Sequence, residues 1–227
     1  MQGITNHLKH AIIKACVFCL LIFLDFGFLY VDAHFVTVDL TENSFTEWAA
    51  ETQLMLMIGM LIFMKKPGGR NQSFMALLAG CMLILLIREF NNFFKDHVFE
   101  GSCTLLMLVA AAAAVYFSYK QRSELLTGVN QFVKSPGYGW FISGAVVVFI
   151  FSRLFALPIL WQLILKGNYV RIVERFIEEG IELMGYSCML TGIVEYVLHL
   201  KKKSAVTYVN RNEKKSLTVI RGELMPA

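Results

Sequence analysis

The chain has 227 residues, of which 56% are hydrophobic and 17% are charged, with a mean hydropathy of +0.57 and a formal net charge of +4. Soluble domains carry about a quarter charged residues, so this composition argues against a soluble single-core protein. The apolar residues come in blocks long enough to cross a bilayer as helices, which takes about 20 residues each.

The first apolar segment begins at Ala11. A signal peptide is the alternative interpretation, but Asp25 lies inside the segment and no small-residue cleavage site follows, which favours a retained helix. The second segment begins behind Ser44-Phe-Thr-Glu47, which has the spacing of a capping box. The fourth contains Ala110 to Ala114, a small-residue surface suited to close helix contact.

The fifth segment has Trp140 and Trp161 at its two ends, as expected for aromatic residues at two membrane interfaces. Pro158 cannot donate to the carbonyl of Leu154, which predicts a bend beside Arg153. The sequence therefore predicts an all-α integral membrane protein, a six-transmembrane-helix bundle with short loops and a transmembrane domain over residues 1–203. The predicted helices are 11–31, 48–64, 74–91, 102–119, 140–161 and 175–200.

Lysine and arginine predict the orientation of the bundle. Of the 21 basic residues, fifteen fall in segments that are cytoplasmic if the amino terminus is inside, four fall in the opposite loops, and two, Arg88 and Arg153, fall within helices. Short cytoplasmic loops carry an excess of such residues. The asymmetry predicts that both termini are cytoplasmic, that loops 65–70 and 120–134 are cytoplasmic, and that loop 91–101 is outside.

Residues 204–227 are predicted to be a basic cytoplasmic tail. Two short runs in it, 205–209 and 217–220, have β propensity, but an isolated two-stranded hairpin is marginal in water. A tail held near anionic lipid is the simpler interpretation, since each nearby cation contributes about 1 kcal/mol.

Ionisable residues recur at a similar depth, in the outer half of several predicted helices. We call six of them the charged layer and predict that they bind or couple a ligand: Glu51, Arg88, Glu89, Arg153, Glu178 and Glu182. A charge at this depth costs several kcal/mol, so such groups usually face the bundle interior and pair. Glu178 and Glu182 are four residues apart and share a helix face. Gly185 and Gly192 continue that face and allow another helix or a ligand to approach closely.

Two arginines cannot neutralise all the carboxylates at this depth. The surplus carboxylates are protonated, exposed to water or bound to a cation, and a divalent cation is a candidate ligand. The first functional hypothesis is therefore cation- or proton-linked transport or ligand binding at the charged layer. Six helices are few for a monomeric transporter, so this hypothesis implies an oligomer.

Two alternatives stay open. In one, the chain is a non-catalytic subunit or scaffold that binds a partner membrane subunit, and the charged layer is a structural salt-bridge network. In the other, it is a metal-dependent intramembrane enzyme acting on lipid, but H-E-x-x-H, H-x-x-x-H and D-D-x-x-D motifs are missing. No catalytic or metal-binding residue can be assigned. A nucleic-acid partner is excluded because the basic residues follow membrane topology, whereas the bilayer of a cell membrane is the expected environment.

Overall fold

The computed structural model describes residues 2–35, 44–64, 71–91, 94, 98–99, 101–120, 122–166 and 169–223. Within these ranges the chain is helical and contains no strand. The helices are α1 (Gln2–Phe35), α2 (Phe45–Met64), α3 (Gln72–Glu89), α4 (Ser102–Lys120), α5 (Arg122–Val133), α6 (Gly137–Val146), α7 (Ser152–Phe155), α8 (Pro158–Leu165) and α9 (Arg171–Glu223). A π-helical turn, Val147–Phe151, joins α6 to α7.

Six stretches of the described chain are long and apolar enough to cross a membrane, which confirms the predicted all-α class and the number of candidate spans. They are Ala11–His34, Phe45–Met64, Gln72–Glu89, Ser102–Lys120, Gly137–Phe155 and Arg171–Lys203. The last of these is the centre of the bundle. In its most apolar 18-residue stretch 72% of the residues are buried, compared with 6% in that of the first span. It packs against α6, α2 and α1, while α3 contacts α2 and α4.

The core forms where the apolar faces of the helices meet α9. Leu54, Met57 and Leu61 of α2 are fully buried, as are Met189 and Ile193 of α9. Their spacing of three or four residues places each set on one face of its helix, and that face turns inward.

Two pairs of glycines bring the fifth span against α9. A β-carbon on Gly137 would lie 2.1 Å from the carbonyl oxygen of Gly192, and one on Gly144 would lie 2.4 Å from that of Gly185. Only residues without a side chain allow two backbones to approach so closely. The prediction that Gly185 and Gly192 admit a neighbouring helix is thereby confirmed.

The fifth helix, predicted over 140–161 with a bend beside Arg153, is interrupted in the structure just before Pro158. The helix ends at Phe155, and α8 restarts at Pro158, where the missing amide hydrogen costs nothing because a first-turn donor is unpaired anyway. The Trp161 indole donates to the carbonyl of Phe155, which the break leaves without a helical partner. A π-helical turn also widens the helix just before Arg153.

Two segments outside the predicted spans, the 120–134 loop and the tail, differ from the sequence interpretation. The 120–134 connection contains α5, whose Phe132 ring contacts Phe74, Phe141 and Tyr196 with centroids 5.0–5.5 Å apart. The two β-prone runs of the tail are helical, because α9 continues to Glu223. An existing helix adds each further residue at little cost, and this outweighs a weak β propensity.

Candidate functional site

Five of the six residues of the charged layer come from three of the candidate spans, and Glu51 lies on α2. Arg88 and Glu89 close α3, Arg153 lies in α7, and Glu178 and Glu182 lie on α9. Because α9 is central, its carboxylates can be reached from both neighbours at once.

Glu182 is the centre of this arrangement. Its Oε1 lies 3.0 Å from an amino nitrogen of Arg88 and also accepts a hydrogen bond from Arg153. The hydroxyl of Ser152 lies 3.2 Å from the same oxygen. One carboxylate oxygen therefore joins two guanidinium groups that come from different helices.

The two arginines complete their pairing with other carboxylates. Arg88 lies 2.8 Å from Glu89 Oε1, and Arg153 lies 2.9 Å from Glu178 Oε1. The predicted pairing of both arginines with carboxylates is thus confirmed. Their environments differ, however, because the Arg153 side chain is 52% exposed and that of Arg88 is 27% exposed. Half of the Arg153 side chain is exposed, and its guanidinium contacts Glu178 and Glu182 of α9.

Glu51 is not joined to this network by an ion pair with any described residue. It lies close enough to Glu89 for the two carboxylates to repel each other. Of the six predicted residues, five therefore form one continuous network and Glu51 stands at its edge.

Two members of the network were not predicted. The Tyr186 hydroxyl donates to Glu89 at 2.6 Å and accepts from Arg88 at 2.9 Å, while Ser152 contacts Glu182. Both could have been found from spacing, since Tyr186 is four residues after Glu182 and Ser152 immediately precedes Arg153. Tyr186 is fully buried, and its hydroxyl contacts both Arg88 and the adjacent Glu89 of α3.

Beyond the layer, the start of α9 carries further charge. Arg175 and Glu179 approach to 3.9 Å one turn apart. Tyr169, outside the candidate spans, donates to Glu174, and this hydrogen bond raises the pKa of the phenol above its ordinary value because it stabilises the protonated form. The amino-terminal end of α9 therefore carries polar and charged groups in addition to the charged layer.

The described residues contain no group of three or more His, Cys, Asp or Glu side chains arranged to hold a metal ion. Three acidic members of the layer, Glu89, Glu178 and Glu182, are instead paired with guanidinium groups. A divalent cation, the ligand considered from sequence, has no candidate ligand set in this part of the chain.

No family model, no curated protein and no solved structure matches this chain.

Proposed function

We propose that this chain is a multi-pass protein of a cell membrane, bacterial inner membrane or plasma membrane, with both termini in the cytoplasm. The charged layer then lies near the outer face and binds a proton or cation in linked transport or ligand binding. The observation that carries the second part is the excess of carboxylates over guanidinium groups in the network that joins Glu182 to Arg88 and Arg153.

Membrane insertion is supported by the apolar residues that the bundle leaves uncovered. The span Ala11–His34 has a mean hydropathy of 2.4 and almost no buried residues, and its Leu20 and Phe23 are exposed, as is Phe63 of α2. Contiguous apolar surface of this extent is rare on soluble monomers. Hydrocarbon chains would cover it, and the helices already satisfy the backbone donors and acceptors that lipid cannot.

Charge balance supports proton or cation binding. The network contains Arg88 and Arg153 but three carboxylates, Glu89, Glu178 and Glu182, and Glu51 adds a fourth beside it. In a medium of low dielectric constant, surplus negative charge is expensive unless it is protonated or paired. A single proton or monovalent cation would neutralise the surplus charge of the network itself, and a second would neutralise Glu51.

The scaffold hypothesis is the second candidate, and a specific observation favours it. Each guanidinium of the network already contacts two carboxylates, so the layer can fasten α3, α7 and α9 together without a ligand. A metal-dependent enzyme has no comparable support in the described residues.

Flux in reconstituted vesicles separates these hypotheses. Purified protein would be placed in vesicles with a trapped pH-sensitive dye, and proton movement would be followed under pH, sodium and potassium gradients. We expect flux for the unmodified chain and its loss in Glu182→Gln. Glu124→Gln, on α5 outside the layer, is the matched control and should retain flux.

Flux that is unchanged in Glu182→Gln would contradict the role given to the layer. If the unmodified chain shows no flux and no ion-dependent binding, the scaffold hypothesis replaces the proposal.

A further inference from the structure

One of the buried carboxyls outside the charged layer, that of Asp25, lies in the interior of the bundle. Asp25 is fourteen residues after the start and nine before the end of the span Ala11–His34, about 21 Å and 14 Å by helical rise. Its side chain is buried together with Gln53 of α2 and Ser187 of α9. Three helices therefore meet at one acidic group.

The contacts of Asp25 come from neutral side chains. Gln53 Nε2 lies 3.0 Å from Asp25 Oδ1, and Ser187 Oγ lies within hydrogen-bond distance of Asp25 Oδ2. Within the described part of the chain, no Lys, Arg or His forms an ion pair with Asp25. A buried acidic side chain without a counterion is uncommon, since burial normally requires a partner charge.

The other titratable groups on these helices do not supply that charge. On α9 the Cys188 thiol lies near Asp25, and a thiol offers no positive charge. On α1, Lys14 is eleven residues away, about 16 Å by helical rise, and is paired with Glu195 at 2.6 Å. On α2, Glu51 is acidic and offers no positive charge.

An ionised carboxylate without a partner charge is strongly disfavoured in an apolar interior, and such a group neutralises instead. We propose that Asp25, Gln53 and Ser187 form a proton-binding site in the bundle interior, in which the Asp25 carboxyl carries a proton at neutral pH and releases it reversibly. The proton comes from water, adds to Oδ2 and returns to water on release.

The three side chains can satisfy one another in the proton-bound form. Asp25 Oδ2–H would donate to Ser187 Oγ, the Ser187 hydroxyl would donate to Gln53 Oε1 at 3.2 Å, and Gln53 Nε2 donates to Asp25 Oδ1 at 3.0 Å. This is a closed ring with one hydrogen per link. A serine hydroxyl is both a donor and an acceptor, so it can occupy either role.

The ionised form uses the same atoms in a different order. The Ser187 hydroxyl turns to Asp25 Oδ2, and Gln53 Nε2 remains on Oδ1 and on Ser187 Oγ at 2.9 Å, but Gln53 Oε1 loses its donor. The ring therefore accepts or releases a proton by rotating one hydroxyl, without moving a helix.

This site does not depend on the charged layer. Ser187 is five residues from Glu182, about 7.5 Å along α9, and the two groups share no hydrogen bond. The experiment below reads the protonation of an aspartate directly, so its result is separate from the presence or absence of flux.

Infrared spectroscopy with isotope-labelled aspartate tests the proposal. The chain has four aspartates, Asp25, Asp32, Asp39 and Asp96, so a carbon-13 carboxyl label marks few groups. In vesicles at neutral pH we expect a carbonyl band of a protonated carboxylic acid that shifts with the label. The band should disappear reversibly at alkaline pH, be missing in Asp25→Asn, and persist in the control Asp96→Asn.

Ser187 variants provide a test that does not require Asp25→Asn to fold. Ser187→Ala removes the acceptor of the acid proton, so the carbonyl band should move to higher frequency, whereas Ser187→Thr keeps a hydroxyl and should leave it near its original position. The proposal is overturned if no labelled acid band exists at neutral pH, if the band survives in Asp25→Asn, or if alkaline pH leaves it unchanged. A carboxylate band that responds to sodium instead of pH would overturn it in favour of a cation site.

Discussion

Gly144 on α6 and Gly185 on α9 approach so closely that the Gly185 carbonyl oxygen would lie 2.4 Å from a β-carbon on Gly144. The same β-carbon would lie 2.7 Å from the backbone nitrogen of Met189. Backbone atoms cannot rotate aside as a side chain can. The distance between the fifth span and α9, and with it the position of Arg153 opposite Glu182, depends on this contact.

Gly144→Ala should therefore destabilise the bundle by separating α6 from α9. Forcing extra atoms into a packed contact costs about 1–3 kcal/mol. Gly139→Ala is the matched control on the same helix, because a β-carbon there would meet nothing within 4 Å. Thermal unfolding in detergent should show a lower midpoint for Gly144→Ala and an equal or higher one for Gly139→Ala. Equal midpoints for both variants would contradict the contact.

Asp32 of α1 caps the amino terminus of α2. Its carboxylate accepts hydrogen bonds from the amide nitrogens of Phe45 and Thr46, at 2.9 and 2.7 Å, and from the Thr46 hydroxyl. Asp32→Ala leaves these donors unpaired, and loss of a cap costs about 0.5–2 kcal/mol. We expect a lower unfolding midpoint for Asp32→Ala and a smaller decrease for Asp32→Asn, which keeps an acceptor. A larger decrease in Asp32→Asn than in Asp32→Ala would contradict capping.

Several local features were predictable because they follow from nearby residues. The predicted capping box is supported at Ser44, whose hydroxyl accepts the amide hydrogen of Glu47 at 3.0 Å. The small-residue surface of α4 does meet a neighbour, since a β-carbon on Gly80 would lie 2.7 Å from the Ala114 side chain. Both depend on spacing within one helix or on residue size.

Contacts between residues that lie far apart in the sequence were harder to predict. Asp32 caps a helix that begins thirteen residues later, and Lys14 pairs with Glu195 across nearly the whole chain. The ring of Asp25, Gln53 and Ser187 also joins three separate helices. Periodicity gives the face of a helix but not the rotation at which two faces meet, so such partners need coordinates.

The proposed topology can be tested by single-cysteine labelling in intact cells. After replacement of the five native cysteines, Gly68→Cys and Val98→Cys each introduce one thiol. The lysine and arginine asymmetry predicts that position 68 is inside and position 98 is outside. An impermeant thiol reagent should therefore modify position 98 and leave position 68 unmodified until the cells are permeabilised. The reverse pattern would refute the orientation.

The two arginines of the charged layer should differ in their contribution to stability. Arg88 is the less exposed and contacts Glu89, Glu182 and the buried Tyr186 hydroxyl, whereas half of the Arg153 side chain is exposed. Removing Arg88 leaves more buried groups without a partner. Breaking a buried ion pair lowers stability more than breaking an exposed one. Arg88→Gln should therefore lower the unfolding midpoint more than Arg153→Gln. A larger decrease for Arg153→Gln than for Arg88→Gln would contradict this prediction.

Glu182 allows the structural and functional roles of the layer to be separated. Glu182→Gln keeps the shape and a hydrogen-bond acceptor for Ser152, but it removes the charge shared by Arg88 and Arg153. If the layer only fastens helices, loss of this buried charge should cost about 3–5 kcal/mol, and each folded molecule should remain fully active. If the layer binds a proton or cation, flux should be lost while the unfolding midpoint falls less than in Glu182→Ala. Thermal unfolding and flux measured on the same preparations decide between them, and a destabilised Glu182→Gln with full flux per folded molecule would exclude Glu182 from the site.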